Sequence, residues 1–242
     1  MKQPQKQYFF AFYFLVTLTA AIASEWHFRY LLLFSKPFLT VSLLVFLFSS
    51  SKEFRLGSIV AALLLSLSGD IFLMFDNMYP TLFLPGLFSF LCVHVCYFIF
   101  FIKNINHTRP WNQHWTQLAA ATLILVYVVE FYVINHEAFR ELGWETLLYV
   151  AAIGVMGVSA AFRDKVQNPK TYYKVLAGAL FFILSDSLLA INKFVNPFEF
   201  ANLLVLLTYG VAQFLLITGI SEFVNSGLLS AKKTVDDVKK SH

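Results

Sequence analysis

Along this chain, apolar runs about as long as a bilayer-crossing helix alternate with short polar breaks. Read against those breaks, the runs predict spans near 8–24, 28–50, 57–75, 80–102, 116–134, 143–162, 174–194 and 201–223. Within each run the apolar residues are continuous and do not alternate, which excludes a lipid-facing β-barrel and leaves an all-α polytopic membrane protein with eight transmembrane helices. Eight spans of about 20 residues use most of the chain, so no separate soluble domain fits. The expected organisation is a single membrane domain over 1–242, with a short cytoplasmic N-terminus and a polar cytoplasmic tail over 224–242. The first run follows Lys2 and Lys6 and ends in Ala21-Ile22-Ala23, features shared with a secretory leader; it is read as a retained helix.

Composition agrees with the pattern. The chain is 58% hydrophobic and 13% charged, against about 25% charged residues in soluble domains. Its two cysteines, Cys92 and Cys96, share one apolar run and cannot form a disulfide framework. The net charge of +4 matters through its distribution. With the N-terminus inside, the inner side collects Lys2, Lys6, Lys52, Arg55, Lys103, Arg109, Arg163, Lys165, Lys170, Lys174, Lys232, Lys233, Lys239 and Lys240, which is 14 of the 18 Lys and Arg. Only 3, Arg29, Arg140 and Lys193, fall outside, and Lys36 lies within a span. Because cytoplasmic loops gather positive charge, both termini are expected in the cytoplasm; the expected location is a bacterial inner membrane. The basic tail then needs no nucleic-acid partner, and no protein partner is evident.

A weak internal repeat is also visible. Lys52 to Arg55 precede Leu65-Ser66-Leu67-Ser68-Gly69-Asp70, as Arg163 to Lys174 precede Phe182-Ile183-Leu184-Ser185-Asp186. Each is a basic inner loop feeding an apolar helix that carries an acid two-thirds along. The repeat predicts two four-helix halves in parallel orientation, related by an axis along the membrane normal.

Ionisable groups inside a bilayer are costly, so each is a candidate for function. At the helical rise, Asp70 lies about 20 Å above the inner end of the third span and Asp186 about 18 Å above that of the seventh. Lys36 and Tyr209 fall about 12 Å below the outer surface, Asn192 lies nearer the outer end, and His94 and Gln213 lie deeper. A plainer role exists for each: a buried Asp can tie helices together, and Lys36 can serve carbonyls freed at Pro37. Two acids at matched depth favour chemistry. Cys92 and Cys96 share a helix face that His94 does not, so no metal site is expected. No Gly-x-Ser-x-Gly, His-Glu-x-x-His or Walker sequence is present, which leaves carboxylate chemistry in an apolar site.

Ser35-Lys36-Pro37, Ser68-Gly69-Asp70-Ile71-Phe72-Leu73-Met74, the Gly86…His94…Tyr97 run, the stretch from Gly178 to Phe194 centred on Ser185-Asp186-Ser187, and Tyr209…Gln213 together resemble the YhhN-like family of integral membrane lysoplasmalogenases. The resemblance extends from the second span to the eighth. It implies a hydrolase that uses no metal or other cofactor and cleaves the vinyl ether bond of lysoplasmalogens to a fatty aldehyde and glycerophosphoethanolamine or glycerophosphocholine. Asp70 and Asp186 would be its catalytic pair. Lys36, His94, Asn192, Tyr209 and Gln213 are the expected substrate-binding residues, and a lysophospholipid and the surrounding membrane lipids the expected partners. A transporter or lipid-handling protein with proton-coupled aspartates is the alternative, since matched halves around buried acids suit that too.

Overall fold

A computed structural model describes residues 3–50, 56–105, 114–165 and 168–240, and in it each expected span is a helix. The helices are α1 (Gln3–Glu25), α2 (Arg29–Ser50), α3 (Gly57–Phe75), α4 (Phe83–Ile102), α5 (Trp115–Asn135), α6 (Trp144–Ala161), α7 (Pro169–Ala190) and α8 (Ala201–Lys240). All eight are long and apolar enough to cross a membrane. Of the inner-side cations counted above, Lys2, Lys52, Arg55 and Arg109 lie outside the described residues.

Two helices depart from the hydropathy reading. Helix α7 starts at Pro169, ahead of the expected residue 174, because Asn168 caps it by accepting from Thr171 N at 3.3 Å and Pro169 fits the first turn. Its polar first turn is invisible to an apolar window. Helix α8 runs 40 residues to Lys240, because the chain beyond the apolar run, which carries four lysines, contains no proline to stop it. At its other end, α7 closes in a single π turn over Ile191–Val195, ahead of Asn196-Pro197.

The seams between helices depend on small residues, as expected where lipid offers no hydrophobic drive for association. A Cβ on Gly178 of α7 would lie 2.9 Å from the Leu216 backbone nitrogen of α8, so these two helices meet at backbone distance. Gly69 of α3 likewise accommodates the Phe90 ring of α4. At the end of the bundle that carries the α6–α7 turn, the buried Arg163 guanidinium lies 4.7 Å from the Phe223 ring centre and 5.6 Å from that of Phe101. Burial pushes the Arg163 guanidinium down to about 10.

The packing scheme is nearly duplicated. Helices α1 to α4 pack in sequence as α1 on α2, α2 on α3 and α3 on α4, and α5 to α8 repeat the order. Across the middle, α2 reaches α8 and, correspondingly, α6 reaches α4. One seam lacks a counterpart: α1 lies along α8, but α5 makes no comparable seam with α4.

Candidate active site

Spacing along each helix brings the polar residues together. Lys36 and Thr40 are four apart on α2, Ser66 and Asp70 on α3, and Tyr209 and Gln213 on α8, so each pair shares a face one turn apart. Those three faces converge on Asp70, which is 2% exposed. Its Oδ2 accepts from Tyr209 Oη at 2.9 Å and Thr40 Oγ1 at 3.3 Å, and Lys36 Nζ sits 3.5 Å from its Oδ1. Behind Tyr209 runs a chain of donors directed at the acid. Tyr97 Oη donates to Gln213 Oε1 at 2.8 Å, and Gln213 Nε2 donates to Tyr209 Oη at 3.2 Å and to Ser66 Oγ at 2.9 Å. Such chains polarise cooperatively, strengthening the last bond to the carboxylate.

Asp186 on α7 has a different set of neighbours. Its Oδ2 accepts from Tyr149 Oη of α6 at 2.6 Å and lies 3.1 Å from His94 Nε2 of α4. The His94 ring is fully buried and its Nδ1 meets no partner among the described residues. A neutral ring with its proton on Nε2 donates to Asp186 and leaves Nδ1 as an unpaired acceptor, whereas a protonated ring would bury an unpaired N–H. Both donors engage Oδ2, so Oδ1 is left to the cavity. Among the described residues no lysine or arginine pairs with Asp186.

A cavity of about 350 Å³ joins the two clusters. Lys36, Asp70, Asp186, Asn192 and Tyr209 all line it, and its mouth carries His27, Arg29, Asp76 and Lys193 at the end of the bundle where the α1–α2, α3–α4 and α7–α8 turns lie. Lys193 Nζ and Asp76 Oδ2 form an ion pair at 2.7 Å there. Between the clusters stands Phe182, its ring centre 4.9 Å from that of His94 and 5.7 Å from that of Tyr209.

Of the sequence-derived candidates, His94 and Gln213 stand behind the wall as supports for Asp186 and Tyr209, and the other five residues face the cavity. Asn192 also accepts from Phe198 N at 3.4 Å, fixing the turn after α7. Lys36 does more than attend Pro37: it pairs with Asp70. The sequence reading missed Thr40, Ser66 and Tyr149. Thr40 and Ser66 were detectable as polar residues one turn from Lys36 and Asp70. Tyr149 had the subtler signal that it lies 113 residues after Lys36, close to the 116 that separate the two aspartates. Among the described residues no three of His, Cys, Asp and Glu gather as a metal site.

Eight apolar helices enclosing two differently partnered carboxylates define an integral, multi-pass membrane protein with a polar site inside the bilayer. The chain belongs to the YhhN family, whose model matches residues 31–220. It is 31% identical over 160 residues to lysoplasmalogenase TMEM86A of Homo sapiens, covering 65% of this chain and 62% of that protein. To lysoplasmalogenase TMEM86B of Homo sapiens it is 28% identical over 155 residues, covering 64% and 59%. The chain thus spans about three-fifths of the length of the curated relatives it matches. No solved structure matches it.

Proposed function

We propose that this protein is a lysoplasmalogenase that hydrolyses the vinyl ether bond of a lysophospholipid by carboxylate acid–base catalysis. One observation carries the reading: two carboxylates line one intramembrane cavity, and among the described residues only Asp70 has a lysine or arginine beside it. Vinyl ether hydrolysis needs those two states. An acid gives a proton to the alkene carbon, and an anion stabilises the oxocarbenium ion that results. Asp186, with Oδ1 open to the cavity and no cation beside it, is the proton donor. Asp70, balanced by Lys36, is the anion that faces the developing cation and directs water.

The steps balance. The Asp186 Oδ1 proton moves to the outer alkene carbon, and the ether-bearing carbon becomes the oxocarbenium centre. Water adds there, and its released proton returns to the carboxylate pair, restoring the starting state. The hemiacetal then loses its hydroxyl proton as the carbon–oxygen bond to glycerol breaks and the glycerol oxygen is protonated. The products are a fatty aldehyde and a glycerophosphodiester. Gln213, Tyr97 and Ser66 hold Tyr209 against Asp70, while His94 and Tyr149 hold Asp186. In this reading both termini lie in the cytoplasm of a bacterial cell, and the cavity opens toward the outer leaflet.

The deciding experiment is 1-alkenyl lysophosphatidylethanolamine incubated with the purified protein in detergent. An enzyme releases aldehyde with no second compartment present. Lysolipid left intact at every protein concentration would favour a transporter or lipid-handling protein.

A further inference from the structure

The duplicated packing fails beside Asp186, and the gap has a shape. In the first half, Tyr13 Oη of α1 donates to Gly210 O of α8 at 2.8 Å, and Thr17 packs on the same glycine, closing α1 onto α8. In the second half, α5 is held to α6 instead. A Cβ on Gly157 would come within 3.0 Å of Ile124 on α5 and 2.8 Å of Ile183 on α7, so those two side chains meet over that glycine. With α5 held there and no seam to α4, an apolar space remains among α4, α5, α6 and α7. Asp186 and Leu189 line both this space and the polar cavity.

The space continues. A second apolar hollow between α5 and α7 shares Tyr127 and Ile183 with the first and extends along Leu123, Leu176 and Leu180. Leu176, Leu180 and Ile183 follow helical spacing and form one stripe of α7. From Asp186 to Leu176 the helix rises about 15 Å. The two hollows together form a slot that begins at Asp186 and runs away from the cavity mouth, through the middle of the bilayer and on toward the inner end of α7.

We infer that this slot holds the alkenyl chain of the lysolipid, so that α5 and α7 select the hydrocarbon while the polar cavity takes the head. The inference rests on the proposed lysoplasmalogenase reading. Continuity with the acid is its main support: the vinyl ether is the junction between chain and glycerol, and Asp186 stands at the junction between slot and cavity. Direction agrees as well. With the mouth, where Arg29 lies and Lys193 is paired with Asp76, nearest the phosphate, the chain descends from the head as it does in the leaflet.

Two measurements test the slot. An uncleavable 1-alkyl lysophosphatidylethanolamine with a diazirine at the chain end, photolysed on the purified protein, should label peptides of α5 and α7 around Leu123 and Leu180, and unlabelled lysolipid should compete. Adducts confined to α1, α2 and α3 would overturn the inference. Leu180→Trp and Leu123→Trp narrow the lower slot. In each, kcat/KM for a hexadecenyl substrate relative to a hexenyl one should fall by about tenfold or more. A ratio that stays unchanged in both variants would also overturn it. The labelling does not need turnover, so labelled α5 and α7 in a protein that releases no aldehyde would refute the lysoplasmalogenase reading and uphold the slot.

Discussion

Lys36 Nζ lies 3.5 Å from Asp70 Oδ1, both side chains being nearly withdrawn from solvent at 13% and 3% exposure. Removing the cation from a buried pair strands the partner charge, a change that costs about 3–5 kcal/mol if the carboxylate stays ionised. Lys36→Met should therefore lower kcat for aldehyde release by about tenfold or more, through loss of the ionised Asp70. Lys36→Arg keeps the charge and should keep more of the rate. A Lys36→Met enzyme as fast as wild type would show that Asp70 works without a counter-ion.

Asp70→Asn and Asp186→Asn should each lose at least about 100-fold in rate, the lower range for acid–base groups, with helical content and gel-filtration behaviour retained. In ¹⁸O-enriched water the label should enter the aldehyde, trapped by reduction as it forms, because water attacks the ether-bearing carbon. Label in the glycerol product would refute this mechanism.

Tyr149→Phe removes the 2.6 Å donor to Asp186 Oδ2 and leaves the ring that packs edge-on against His94. The expected result is a fall in kcat of about tenfold with KM nearly constant, the pattern for an interaction that acts on the transition state. An increase in KM alone would make Tyr149 a substrate contact and not a support for the acid.

Two glycines should respond with opposite sign. At Gly178, where α7 meets the α8 backbone, Gly178→Leu should destabilise by about 1–3 kcal/mol through overpacking, seen as a lower midpoint of thermal unfolding in detergent. At Gly57, which opens α3 and has nothing among the described residues within 4 Å of a Cβ, Gly57→Ala should raise stability by about 0.4–1 kcal/mol by restricting the unfolded chain. Equal effects at the two sites would contradict the packing described.

Orientation can be read chemically. In a background with Cys92 and Cys96 replaced, Met78→Cys beside the cavity mouth should react with an impermeant maleimide added to intact cells. Lys165→Cys at the opposite end should react only after the membrane is opened. The reverse pattern would invert the topology and place the cavity mouth in the cytoplasm.

The fold class was legible in the sequence because the bilayer imposes it: a backbone in lipid must satisfy its own hydrogen bonds, so apolar runs of sufficient length become helices. The same cost made Asp70, Asp186 and Lys36 conspicuous, since a charge within such a run has few structural reasons to be there. Helical periodicity even carried Thr40 and Ser66, one turn from residues already singled out. Hydropathy could not supply the partners. That Lys36 belongs to Asp70 while Asp186 faces Tyr149 and His94 depends on which helices cross at which depth, and glycine seams such as Gly178 against Leu216 set that crossing. Nor does an apolar run state whether it packs against protein or lipid, because leucine and phenylalanine suit both. The seam of α1 with α8 and the missing seam of α5 with α4 are therefore properties of the tertiary structure alone, and they determine why an apolar slot opens beside Asp186.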